Sequence, residues 1–319
     1  MKKLLTIASL ALVMVSCSND DNSHEITVRT KIGSMTRTEI NTEGKTVFSS
    51  GDAFLLYAWD GTASAAATPW IDGTKVTQTA TDVWTPEATL YWKSEATKHD
   101  FIAVYPAAFV DKNVSLIAQP YTFRDANDAG GYKLLDDDVL LARLSNVTMT
   151  ADYSLTLPFE HIMSKLRVVL TFRNEWDGVP TVTAVTANMT RQSTINCING
   201  TVSPLASSAT DRKMLAAASN SDNSRCFEIV CAPNDPVLKR IVTTISNRTF
   251  TFTSPELIPL EPGKVTTVNL VVGRNTIDLD FTTPGGGEGG GSGEGGQSGI
   301  TIDDWTDHDT SISGDAFGD

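Results

Sequence analysis

From residue 25 onward, apolar and polar side chains alternate in short runs, and the runs are broken by Gly, Pro, Asn and Asp. Ile26, Val28, Thr30 and Ile32 fall on one side of an extended chain, while Thr27, Arg29 and Lys31 fall on the other. That period of two predicts a half-buried β-strand. Comparable runs recur at 53–59, 88–92, 100–105, 114–123, 153–159, 165–173, 181–188, 226–232, 241–252, 264–272 and 277–281. No capped amphipathic pattern exceeds about two helical turns. Many short strands punctuated by turn residues predict an all-β protein of antiparallel sandwiches. The 319 residues suit two domains. The division falls near 157–163, where one alternating run ends and the strongly apolar Arg167–Phe172 begins. The expected units are an N-terminal β-sandwich at 25–158 and a C-terminal β-sandwich at 159–284.

The two ends differ from this texture. Residues 1–16 carry Lys2 and Lys3, an apolar run from Leu4 to Val15, and small Ser16. That order is a secretory signal peptide. Cys17 directly after it fits a lipoprotein whose first mature residue is acylated, with 17–24 as tether. Acyl chains would hold it in the outer membrane at about 0.8 kcal/mol per buried methylene. Ordinary cleavage with Cys17 incidental is the plainer alternative. At the other end, ten of the fifteen residues from 285 to 299 are Gly. This composition reads as a flexible linker. Residues 300–319 follow it, beginning with the strand-like ITIDDW and ending polar. Eight acidic residues and no Lys or Arg lie in 285–319.

Charge and chemistry narrow the function. A net charge of −13 argues against nucleic acid as a partner, because phosphate binding needs clustered Lys and Arg. There is no G-x-S-x-G elbow, no HExxH and no paired-cysteine zinc spacing. The expectation is no enzyme and no cofactor or metal. Asp136, Asp137 and Asp138 read as a solvated acidic loop before a calcium site. Cys197, Cys226 and Cys231 read as small buried apolar side chains. Trp59, Trp70, Trp84 and Trp92 read as core packing before a sugar-stacking platform.

A series of landmarks then adds up. Thr36-Arg37 follows the first strand, and Ser50-Gly51-Asp52 leads into an apolar one. Leu90-Tyr91-Trp92, Asp100-Phe101 and Tyr105-Pro106 come next, then Leu157-Pro158-Phe159-Glu160-His161 and Ser164-Lys165-Leu166. Their order over nearly all of 17–283 resembles the fimbrillin-like family, the subunits of type V pili of Bacteroidales bacteria. The polar stretch 18–22 likewise resembles the acidic tag that sends some lipoproteins of these bacteria to the cell surface. The resemblance implies two tandem transthyretin-like Greek-key β-sandwich domains. It also implies export as a lipoprotein, maturation after an Arg by a trypsin-like protease, and assembly with other pilus subunits by strand exchange. Arg37 is then the expected maturation site, with the cut before Thr38, and Arg29 is the alternative. Ile26, Val28 and Ile32 would mark the removable first strand.

A strand leaving a sandwich exposes apolar core and a row of backbone hydrogen-bonding groups, and a neighbour's strand can restore both. Ile300 and Ile302 share a face and would be the donor knobs. Trp305 could join them only through a bulge, because Asp304 interrupts the strip. Two readings of 300–305 stand side by side: a donor strand acting in trans, or the last strand of its own second domain. The alternative to a pilus subunit is an uncleaved surface lipoprotein adhesin, anchored through Cys17, that binds glycan or host protein.

Overall fold

A computed structural model describes residues 24–32, 39–40, 46–219, 223–280 and 299–305. In chain order its strands are β1 (Thr27–Ile32), β2 (Glu39–Ile40), β3 (Thr46–Val47), β4 (Ala53–Asp60), β5 (Ile71–Ala80), β6 (Val83–Pro86), β7 (His99–Tyr105) and β8 (Gln119–Thr122). Next come β9 (Leu140–Val147), β10 (Ser154–His161), β11 (Ser164–Phe172), β12 (Val182–Thr190), β13 (Gln192–Asn196), β14 (Thr201–Pro204) and β15 (Ala209–Lys213). The series ends with β16 (Leu215–Ala217), β17 (Ser224–Cys231), β18 (Arg240–Ile245), β19 (Arg248–Thr253), β20 (Lys264–Val272), β21 (Ile277–Leu279) and β22 (Ile300–Asp304). Three single-turn 3-10 helices are the only helices among the described residues. The all-β sandwich expectation holds.

The first half is one seven-stranded sheet in the order β1-β10-β9-β7-β4-β5-β6. Bulges in β5 and β9 bend it, as an extra residue on one strand does. Its ends meet where the Trp84 indole N–H on β6 donates to Thr30 Oγ1 on β1 at 3.0 Å. The sheet thus folds over its own core, and Val28, Leu155, Leu140, Phe101, Phe54, Val76 and Trp84, one from each strand, share a single apolar cluster.

The second half is a two-layer sandwich. One layer runs β16-β17-β11-β20-β21 with β22 also on β20, and the other runs β15-β12-β18-β19. Alternation in SKLRVVLTF sends Leu166, Val168, Leu170 and Phe172 inward against Val185, Ala187, Ile241 and Phe252. The chain crosses between the halves through Ile162 and Met163, both buried.

A third cluster joins the halves. The continuous apolar runs of β4 and β7 are buried on both faces, as such runs demand. Their second face places Leu55, Tyr57, Ile102 and Val104 with Met163, Val230, Val265 and Trp305. A small sheet, β14-β13-β8, spans the same boundary.

Several expectations are corrected. Residues 119–122, expected inside the first sandwich, pair with β13 of the second half. The run 241–252 is two strands, because Ser246 and Asn247 take positive φ of 46° and 62° and so form the turn that suits a tight hairpin. Residues 88–92 make an isolated bridge through Tyr91 instead of a strand. Pairing is not wholly antiparallel: β1–β10 and β11–β20 are parallel. Each parallel pair is separated by a long stretch of chain, which such pairing requires.

The acidic run is also not a solvated loop, since Asp137 and Asp138 are 1% and 0% exposed. Asp137 accepts hydrogen bonds from the Arg124 backbone N–H at 2.7 Å and from the Tyr121 hydroxyl at 3.1 Å. Burial raises its carboxyl above the ordinary range, against the opposing pull of Arg124 and Arg212. Arg212 is fully buried, donates to the carbonyls of Arg124 (2.6 Å) and Val230 (3.0 Å), and lies 5.0 Å over the Phe123 ring. It therefore pins β15 and β17 to the segment after β8. Arg212→Ala should lower the unfolding free energy by roughly 3–5 kcal/mol, because it strands buried acceptors and the buried Asp137. Urea denaturation measures this, and a loss below about 1 kcal/mol would show the guanidinium to be dispensable.

Cys197, Cys226 and Cys231 are free thiols and all buried. Burial pushes Cys197 and Cys231 from an ordinary 9.0 up to about 12. Protein from residue 18 onward should be silent to an aromatic disulfide reagent at pH 8 and release three equivalents on unfolding. Their folded pKa lies above the unfolded one, so the stability they contribute is whole below pH 9 and is lost as pH rises from 9 through about 12. The urea midpoint should fall across that window.

Candidate functional site

The first strand lies in a slot. β1 runs parallel to β10 from Thr27↔Ser154 to Ile32↔Phe159. Its entry is held by residues on both sides: the Ile26 N–H donates to the Leu90 carbonyl at 2.8 Å, the Trp92 N–H to the His24 carbonyl at 2.9 Å, and the Thr27 N–H to the Tyr153 carbonyl at 3.1 Å. Ile26 and Val28 are 3% and 5% exposed, whereas Thr27, Arg29 and Lys31 face solvent. Under the slot lie Phe54, Trp84 and Phe159, with ring centroids 4.9 and 5.2 Å from Phe54. Outside, Arg29 meets Asp152 at 3.4 Å on the surface. Such an exposed pair contributes little. Each buried apolar side chain of this strand is worth about 1.5–3 kcal/mol. Cys17, Arg37, Thr38 and the side chain of Ile32 lie outside the described residues.

The last strand lies on a split edge. β21 and β22 both run antiparallel to β20 and occupy its successive halves: Leu270↔Leu279 in one, Val268↔Ile300 in the other. Between them Asn269 serves both, accepting from the Asp280 N–H at 2.9 Å and donating to the Gly299 carbonyl at 2.8 Å. One strand position is therefore filled by two pieces of chain, and Asp280 and Gly299 meet at the same point. Gly299 fits there because a Cβ would lie 3.0 Å from the Leu279 side chain.

The side chains of this last strand divide. Ile300 packs on the second core, while Ile302 is 37% exposed. Trp305 is 3% exposed. Its ring stacks on His161 at 4.5 Å and 8°, and the Lys165 ammonium lies 5.2 Å from the ring centre. His161 is oriented by Asp138 at 2.9 Å, and Lys165, itself buried, faces Glu228 at 3.8 Å. The Trp305 N–H donates to the Gly263 carbonyl at 3.2 Å, and Lys264 pairs with Asp304. Residues 300–305 thus close their own second domain in this structure. Of the three residues expected to act together there, Trp305 is the deepest and Ile302 the least covered.

The four tryptophans of the first half are packing residues. Trp59, Trp84 and Trp92 are buried, Trp70 is half-buried, and each indole N–H has an acceptor. No exposed platform forms from them.

The fimbrillin-like family model matches residues 36–305. The chain belongs to the fimbrillin-like family. Membership places it among structural, non-enzymatic proteins. Among solved structures, a protein assigned to cell adhesion from Bacteroides uniformis superposes with a TM-score of 0.59 at 13% identity, over 89% of this chain and 100% of that one. A second such protein, from Bacteroides ovatus, gives 0.60 at 16% identity, over 88% and 97%. A fimbrial protein from Bacteroides vulgatus gives 0.50 at 14% identity, over 88% and 99%. At these identities the likeness is one of fold. No curated protein matches the sequence.

The landmarks of this fimbrillin-like chain have local tasks. Leu90 and Trp92 hold the entry of β1, and Asp52 accepts from the Ser49 N–H and the Tyr105 hydroxyl, both at 2.8 Å. His161 and Lys165 form the seat of Trp305. That seat was missed in the sequence, since nothing local pairs residue 305 with 161 and 165. Replacing Trp305 with Ala should strip hydrogen-exchange protection from amides 300–304 while leaving the strands of the first sheet protected. Protection of 300–304 equal to that of the unaltered chain would mean the β20 pairing alone holds the strand.

Proposed function

We propose that this chain is a structural or accessory subunit of a cell-surface fimbria, built by strand exchange with other pilus subunits. It is exported, anchored in the outer membrane through acylated Cys17, and cut between Arg37 and Thr38 by a trypsin-like protease. The cut frees β1 from the chain, and the slot beside β10 then takes a strand from another subunit.

The observation that carries the reading is a match between the two removable pieces. The strand in the slot begins Ile26-Thr27-Val28 and the last strand begins Ile300-Thr301-Ile302, with the same apolar–Thr–apolar spacing. Ile26 and Val28 are sealed in the slot, whereas Ile302 lies exposed on its own domain. Moving 300–305 into a neighbour's slot would bury Ile302 and restore the backbone ladder of β10. The segment 281–298 gives reach: fully extended, such a length spans about 60 Å.

Protein from residue 18 onward, treated briefly with trypsin, should give a product beginning at Thr38 that forms a ladder on native gels. Deleting 300–319, or placing Asp at 300 and 302, should abolish the ladder while leaving the cut. Resistance at Arg37, or a cut product that stays monomeric, would favour the anchored adhesin.

A further inference from the structure

We propose that a small cavity on the first half is a binding site for a single hexose ring. The cavity, about 230 Å³, lies between the loop after β4, the segment 110–116 and Ile198 of the second half. Its walls include Tyr57, Trp59, Asp72, Lys112 and Leu116. It is independent of the strand slot and of the last edge.

Its polar groups are left open to a guest. Tyr57, which lines the cavity, is 4% exposed, yet its hydroxyl has no hydrogen-bond partner among the described residues. Burial, with Asp72 nearby, pushes that phenol up to about 12, so at neutral pH it stays an O–H able to donate and accept. The Asp72 side chain is exposed and has neither hydrogen bond nor ion pair among the described residues. Lys112 is aimed at the same place by donating to the Gly73 carbonyl at 3.0 Å. Gly73 keeps the entrance to the phenol clear: φ is +65°, and a Cβ there would lie 2.8 Å from the Tyr57 hydroxyl. The loop wall is fixed by the Trp59 indole N–H, which donates to the Ala67 carbonyl at 2.9 Å.

The chemistry selects the guest. An apolar molecule would leave the buried phenol unpaired, which is costly in a confined site. Asp72 repels an anion, and Lys112 repels a cation. A neutral ring bearing several hydroxyls satisfies all three groups: hydroxyls donate to Asp72, accept from Lys112, and exchange both roles with Tyr57. Its C–H edges meet Leu116, Ile198 and the indole. The volume lies below the roughly 300–1,000 Å³ of pockets for drug-sized ligands. One sugar ring fits, and the remainder of a glycan would project outward.

The test uses protein from residue 18 onward with the methyl glycosides of glucose, mannose, galactose and fucose, each titrated by calorimetry and by ligand-observed NMR. At least one should saturate with a dissociation constant of about 1 mM, a modest affinity suited to one ring. Tyr57→Phe and Asp72→Asn should each weaken it at least tenfold, with melting temperatures within about 2 °C of the unaltered protein showing that the fold is kept. Two results would overturn the proposal: no methyl glycoside saturating by about 50 mM, or saturation that both variants leave unchanged. Truncation of 300–319 should leave binding intact, which separates this site from the strand-exchange reading.

Discussion

A β-strand edge that borders exposed apolar core cannot be left bare, because it pairs with whatever extended chain arrives next. β1 and β22 both serve that constraint. The first strand closes the curled sheet at β10, where Ile26 and Val28 complete the core. The last strand closes β20, where Trp305 completes the cluster between the halves. Both pieces are peripheral to the connectivity of the domains, yet each covers residues that the domains cannot afford to show to water.

What lies between them is built not to yield. β4 and β7 are buried on both faces, so each belongs to two clusters at once. The small sheet β14-β13-β8 and the buried Arg212 tie the halves together across the same boundary. A joint made from a shared apolar cluster and a desolvated guanidinium is stiffer than a hinge of a few exposed contacts would be. The charged groups at this joint matter less for net stability than for position, since a buried ionic group tolerates little displacement.

Much of the fold is legible in the sequence where the physics is local. Alternation in 26–32, continuous apolar runs in 53–59 and 100–105, and the apolar face of 165–173 all correspond to strands. β5 was missed because IDGTKVTQTA is largely polar and threonine-rich, and its burial comes from the sheet curling over it. β9 was missed because only its first residues are apolar. The burial of Asp137 and Asp138 was misread for a related reason. An acidic run looks solvated until partners far along the chain, here Arg124, Arg212 and His161, are brought to it. The cavity beside Tyr57 was equally invisible, since its walls come from separate stretches of the chain.

The split edge has a consequence for timing. A strand returned to its own domain by a glycine-rich segment competes against strands on other molecules from an effective concentration in the millimolar range. At micromolar subunit, the intramolecular strand wins by about a thousandfold even when the two pairings are equally strong. In dilute solution β22 therefore stays on its own β20. The glycine-rich tether thus works as a guard against association through β22 in dilute solution.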